Sequence, residues 1–118
     1  MRALLAGARR KQPELVKRIE RLAGCESPSD DKAAVDACGS LVIEHARALG
    51  ARPKVHRQRK FGDLLELRFG PRRRSAGKPV LLLGHLDTVW PVGTLKTMPC
   101  RIGEGRLWGP GTLDMKAG

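Results

Sequence analysis

Three side chains in this sequence have the types and spacing to hold a divalent metal ion and activate water: His85, Asp87 and Asp114. His85 and Asp87 flank one residue in Gly84-His85-Leu86-Asp87-Thr88-Val89-Trp90. In an extended segment residues i and i+2 project to the same side, so the imidazole and the carboxylate can aim at one point. Asp114 lies in a second glycine-flanked stretch, Gly109-Pro110-Gly111-Thr112-Leu113-Asp114-Met115-Lys116. Imidazole and carboxylate donors suit a catalytic zinc or cobalt site with an open position for water. Where two metals share a site, a bridging carboxylate holds them roughly 3.5–4 Å apart, and the pKa of a water between them falls to about 7. On that chemistry His85 is a candidate ligand and Asp114 a candidate bridge. Asp87 is placed to orient a ligand histidine from behind, a role carboxylates often fill. The His-x-Asp pair alone has a simpler reading, a strand-end histidine beside a turn-capping aspartate. The second glycine-flanked aspartate is what favours the metal.

The elements that must position these residues can be read from the pattern. Val80-Leu81-Leu82-Leu83 runs straight into Gly84 and reads as a strand buried on both faces, with His85 at its carboxyl end, where open α/β sheets place their ligands. Upstream, Leu15, Val16, Ile19, Leu22 and Ala23 form one apolar stripe and predict an amphipathic helix over 13–23, opened by Pro13 and stopped by Gly24. Residues 2–10 are a possible helical lead-in. Glu26-Ser27-Pro28-Ser29-Asp30-Asp31 reads as a turn ending in cap residues. A second helix over 31–49 follows, with Ala34, Cys38, Leu41, Val42, His45 and Leu49 on one face. Residues 52–58 form a basic, edge-like strand, and 63–69 alternate Leu65, Leu67 and Phe69 onto one face. Gly70 to Lys78 is a polar loop with solvated arginines. After Asp87 an extended loop leads to a hairpin around Gly103-Glu104-Gly105, then a tight Gly-Pro-Gly turn, and Asp114 should open a helix. His45 reads as a packed residue on its helix face, and His56 as a surface residue with no carboxylate partner. Together these elements imply an α/β domain with a central sheet, and two helices can cover only one face of a doubly buried strand.

Composition narrows the function classes. At 118 residues the chain is one domain or part of one. Lys and Arg number 23 against 12 Asp and Glu, a net charge of +11, which by itself reads as a solvated basic surface. Two Trp, two Phe and no Tyr leave little for a base-stacking platform, so no nucleic-acid partner is expected. Cys25, Cys38 and Cys100 form no Cys-x-x-Cys pair, which argues against a zinc knuckle and fits a reducing, cytoplasmic setting. The apolar run Ala3 to Ala8 is short for a signal peptide and far too short for a membrane span, so no membrane partner is expected.

The two glycine-flanked motifs, in this order and spacing, closely resemble the amino-terminal signatures of the dizinc aminoacylase and carboxypeptidase family, which includes acetylornithine deacetylase, succinyl-diaminopimelate desuccinylase and glutamate carboxypeptidase. Glu26-Ser27-Pro28-Ser29-Asp30 looks like that family's post-helix turn. The loop Thr88 to Leu95 and the Gly-Pro-Gly turn look most like the glutamate carboxypeptidase branch. The resemblance implies residues 1–118 as the amino-terminal portion of a zinc-peptidase-like catalytic domain: α/β, with a mixed sheet and helices packed on it. It implies His85 as a zinc ligand, Asp114 as the bridging carboxylate, followed by a cis peptide bond, and Asp87 as the catalytic aspartate that polarises a ligand histidine. The cofactor would be zinc, two ions per complete site, with cobalt or manganese as alternatives. The substrate would be a small peptide or N-acyl amino acid, cleaved to release a C-terminal amino acid by a metal-activated water.

The family's general-base glutamate, its remaining ligands and its lid domain, through which any homodimer would form, have no counterpart in these residues. The resemblance therefore implies an inactive isolated chain, with an exposed apolar sheet face and poor solubility. The competing expectation is a non-catalytic remnant that acts at most as a weak metal-binding or interaction module.

Overall fold

The computed structural model describes residues 2–71 and 78–118. Helix α1 spans Arg2–Ala23 and α2 spans Lys32–Ala48. Strands β1 (Arg52–His56) and β2 (Leu64–Arg68) form one antiparallel pair, and β3 (Arg101–Gly103) and β4 (Arg106–Trp108) form another. A short 3₁₀ turn, Thr94–Lys96, and a five-residue turn, Thr112–Lys116, complete the chain. The class is mixed α/β.

The expected lead-in and first helix are one continuous helix, with Pro13 inside it. Ala, Leu, Arg and Lys crowd residues 2–11 and carry the helix up to the proline by propensity. The hydrogen bond Pro13 cannot make leaves the Arg9 carbonyl on an exposed turn, where water can take it. Only the carboxyl end of α1 is covered: Ala23 is buried, Val16, Ile19 and Leu22 are half-buried, and Leu4 and Leu5 face solvent.

Asp31 caps α2 as its type predicts, its carboxylate accepting from Ala34 N at 3.0 Å. Cys38 and Ala46 are buried on α2, which packs against the β1–β2 hairpin. Gly39 allows the close approach, because a Cβ there would lie 3.3 Å from Leu65 Cδ1. The register pairs Arg52 with Arg68 and His56 with Leu64. That register places His56 diagonally across from Glu66, and the two meet at 2.9 Å. His56 thus has a carboxylate partner, contrary to its reading as an unpaired surface histidine. His45 is half-buried and lies 3.5 Å from Arg21, which also pairs with Glu44 and links the two helices.

A charge cluster fixes the turn before β2. Lys32 Nζ reaches Asp36 at 2.7 Å and Asp63 at 2.6 Å, Arg57 reaches the other Asp63 oxygen at 2.7 Å, and Asp63 N donates to Asp36. These donors, Lys32 first, hold the Asp63 carboxyl down at about 2.

Two expectations about the sheet are corrected. Val80 to Leu83 forms no strand with any described residue, and its side chains are 82–90% exposed. A doubly buried strand requires a neighbour on each edge and helices on both faces. Here α2 is committed to the β1–β2 hairpin, and α1 makes its contacts with the 112–116 turn. Likewise, the single mixed sheet is replaced among the described residues by two separate antiparallel pairs. The arginines expected in the loop after Gly70 fall at 72–77, outside the described residues.

The hairpin around Gly103-Glu104-Gly105 forms as its turn chemistry predicts. Glu104 and Gly105 both take positive φ, 51° and 71°, the signature of a two-residue turn matched to strand twist. Asp114 does not open an ordinary helix. Its φ/ψ of −130°/98° is extended, and the bond to Met115 is cis, as the resemblance implied.

Candidate metal and catalytic site

Three segments distant in sequence converge on His85. The first is the turn after α1. Ser29 N donates to Thr88 O at 3.1 Å and Thr88 N donates to Ser27 O at 2.8 Å, which makes a one-rung parallel bridge between Pro28 and Thr88. Ser27 is fully buried, and its hydroxyl donates to Leu86 O at 2.7 Å. Residues 86–88 are therefore held by backbone and hydroxyl contacts on the 27–29 turn, not by a sheet.

The second segment is the Gly-Pro-Gly turn. Gly111 has φ 72°, and a Cβ on it would sit 2.6 Å from Thr88 Cγ2. Only glycine satisfies both conditions. The turn then closes, with Lys116 N donating to Gly111 O at 3.0 Å. The Lys116 side chain runs inward to donate to Leu22 O at 3.1 Å and Cys25 O at 2.6 Å, and so locks the turn to the end of α1.

The third is the 91–95 loop. Glu26 accepts from Gly93 N at 2.8 Å and Leu95 N at 2.9 Å, and caps the 3₁₀ turn from a distant part of the chain. Those two donors hold the Glu26 carboxyl below its ordinary value.

Within this frame His85 Nε2 lies 3.1 Å from Asp114 Oδ1. On the other side of the ring, Nδ1 lies 3.0 Å from the Asp87 carbonyl oxygen and 3.4 Å from Asp87 Oδ1. Asp87 is held in turn by Ser29 Oγ, which donates to Oδ2 at 2.5 Å. Hydrogen bonding to Asp114 and then to the Asp87 carbonyl raises the His85 pKa above its ordinary value. The Ser29 hydroxyl is the chief cause that lowers that of Asp87. The side chains border a cleft of about 310 Å³ that Trp90, Gly111 and Thr112 also line. With Asp114 84% exposed and His85 44% exposed, both reach solvent and any ion in it.

The structure thus brings together all three residues singled out from spacing. An imidazole nitrogen and a carboxylate oxygen that face each other across one gap are borderline-hard donors of the kind zinc, cobalt and manganese accept. The donor chemistry fits a divalent ion, but two donors do not complete a site. Among the described residues no group of three or more His, Cys, Asp or Glu side chains could hold a metal. His45 and His56 lie outside the cleft, each with its own partner. Burial raises the pKa of Cys25 and of Cys100, so neither is poised as a thiolate nucleophile.

Sequence reasoning did not find Ser27, Ser29, Glu26 or Lys116 as builders of this site. The 26–31 stretch was legible as a turn, but its partners lie nearly sixty residues or more away. A lysine two residues past a candidate ligand gives no sign that it is buried.

Over 116 residues the chain is 30% identical to carboxypeptidase G2 of Pseudomonas sp. (strain RS-16). The chain is similar to a carboxypeptidase. The alignment takes in 98% of this chain and 28% of carboxypeptidase G2, so the chain spans under a third of that relative's length. No protein-family model matches the chain. No described helix is long and apolar enough to cross a membrane.

Proposed function

We propose that this chain is the amino-terminal portion of the catalytic domain of a metal-dependent amidohydrolase that releases a C-terminal amino acid, in the manner of a glutamate carboxypeptidase. The observation that carries this reading is the 3.1 Å approach of His85 Nε2 to Asp114 Oδ1 in an open cleft. The similarity to carboxypeptidase G2 supports it.

In this reading His85 and Asp114 would hold the metal, with Asp114 proposed as the bridging carboxylate, and Asp87 orients His85 through Nδ1. Zinc is the proposed ion, with cobalt or manganese as alternatives; when bound it supplies Lewis-acid activation of water and of the scissile carbonyl. The chain's own residues position. The 27–29 turn fixes Asp87, Gly111 admits the close approach of the second loop, and Trp90 and Thr112 wall the cleft that His85 and Asp114 border. The substrate class is a small peptide or N-acyl amino acid. Further donors and a general base are needed to complete a two-metal site, so the 118-residue chain binds metal weakly and does not turn over. The absence of a three-donor group among the described residues favours a second reading, a weak metal-binding module without catalysis.

Titration of the chain with Zn(II) by calorimetry tests the metal assignment. His85→Ala and Asp114→Asn should each weaken binding about tenfold or more. Unchanged affinity in both variants would remove the metal from His85 and Asp114 and overturn the reading.

A further inference from the structure

We propose that Ser29 is a positioning residue that acts through Asp87 to commit His85 to present Nε2, and not Nδ1, to a metal. The inference rests on the metal-site reading above and deepens it.

The four residues form one line of polar contacts. Ser29 Oγ contacts Asp87 Oδ2 at 2.5 Å, Asp87 Oδ1 and its carbonyl oxygen face His85 Nδ1 at 3.4 and 3.0 Å, and His85 Nε2 faces Asp114 Oδ1 at 3.1 Å. A neutral imidazole carries one proton, so only one nitrogen can donate and the other must offer its lone pair. Asp114 Oδ1 competes for the ring proton at Nε2, while two acceptors on Asp87 converge on Nδ1 and draw the proton there. Nε2 is then left as the lone-pair donor that a divalent ion requires.

The Asp87 carboxylate adds to its carbonyl at Nδ1 only if it is turned toward the ring. It is 40% exposed, and a free carboxylate at that exposure would sample other rotamers and water. The Ser29 hydroxyl occupies Oδ2 and leaves Oδ1 on the histidine side. Ser29 is itself immobilised by its backbone, since its N–H bonds to Thr88 O one residue beyond Asp87. The hydroxyl is therefore presented by the same parallel bridge that holds residues 86–88, and its removal takes away a 3.3 Å contact to Thr88 O but keeps both backbone bonds of the bridge. The neighbouring hydroxyl, on Ser27, is buried and bonds only backbone, at Leu86 O. It gives a built-in structural control.

The test uses the 118-residue chain, with Zn(II) alone as the ligand and the His85 tautomer read from long-range ¹H–¹⁵N spectra at a pH where the ring is neutral. Ser29→Thr keeps the hydroxyl, and Ser29→Val matches Thr in shape without it. The expected result is the same tautomer population and the same zinc affinity in the wild type and Ser29→Thr. Ser29→Val should show a population shifted toward Nε2–H and affinity lower by about tenfold. Ser27→Ala should lose stability while the His85 tautomer stays as in the wild type. The inference is overturned if Thr and Val variants give the same tautomer, or if Ser29→Val binds zinc as the wild type does. If Ser29→Val does not fold, Ser29→Gly replaces it in the same comparison. A wild-type chain that binds no zinc would sink the metal-site reading alone, and the tautomer, read without metal, still decides the role of Ser29.

Discussion

Lys116 and Leu22 lie 94 residues apart, and the lysine ammonium donates to the leucine carbonyl at 3.1 Å while also reaching Cys25 O at 2.6 Å. A side chain two residues beyond Asp114 thereby closes the carboxyl end of α1, where helix carbonyls lack intrahelical partners and a positive charge is favoured. The lysine is only 6% exposed. Lys116→Met keeps the aliphatic packing but removes the ammonium donor from Cys25 O and leaves Leu22 O with Cys25 N alone. The expected loss is about 1.5–3 kcal/mol of stability, read as a lower urea midpoint. Lys116→Arg should recover part of it. A methionine variant with the wild-type midpoint would show that the buried ammonium contributes nothing.

The Asp63 carboxyl predicts an acid-sensitive joint between α2 and the β1–β2 hairpin. Its pKa is depressed to about 2 by Lys32, by Gln58 N and by Arg57. A depressed carboxyl pKa contributes stability that is fully present above the ordinary aspartate value and is lost as pH falls through the folded one. Unfolding midpoints should therefore drop between about pH 4 and pH 2. In Asp63→Asn the drop over that window should be smaller and the neutral-pH midpoint lower. Equal acid slopes in the two proteins would count against the assignment.

Gly62 is set against α2 so closely that an added Cβ would meet Val35 Cγ1 at 2.2 Å. Valine is short and stiff at χ1 and cannot swing clear. Gly62→Ala should destabilise by about 1–3 kcal/mol through overpacking. Val35→Ala in the same background should restore part of that loss, which makes the pair non-additive in a double-mutant cycle. Strict additivity would mean that the hairpin simply moves away.

The apolar run Val80 to Leu83, 82–90% exposed with no strand partner among the described residues, predicts self-association of the isolated chain. Replacing Leu81 and Leu83 with Lys should lower dye binding to exposed apolar surface and raise the soluble fraction at a given concentration. A wild-type chain that sediments as a monomer with no dye binding would refute this.

Catalysis gives the most direct outcome. Incubated with zinc and an N-acyl glutamate, the 118-residue chain should release amino acid no faster than free zinc. A clear rate above that background would mean that His85, Asp87 and Asp114 suffice without the further donors and general base proposed to complete the site.

What the sequence determined by itself was local. Capping by Asp31, the stripe that makes α2 amphipathic, the alternation in β2 and the turn at Glu104-Gly105 all arise from residues within a few positions of one another. So do the candidates His85 and Asp87, whose i, i+2 spacing puts them on one side of an extended chain. Asp114 was legible because glycines flank it as they flank His85. Tertiary structure alone decided the rest. Val80 to Leu83 has the composition of a buried strand, yet burial depends on neighbours, and both helices are engaged elsewhere. Ser29 and Lys116 are ordinary polar residues in sequence. They become parts of the site only when the turn after α1 is brought against residues 86–88 and the glycine turn is brought against α1. Those contacts bridge 58 to 94 residues of chain. Periodicity and spacing report on forces within one element. The line from Ser29 through Asp87 and His85 to Asp114 depends on three elements meeting, and is fixed by hydrogen bonds that no single stretch encodes.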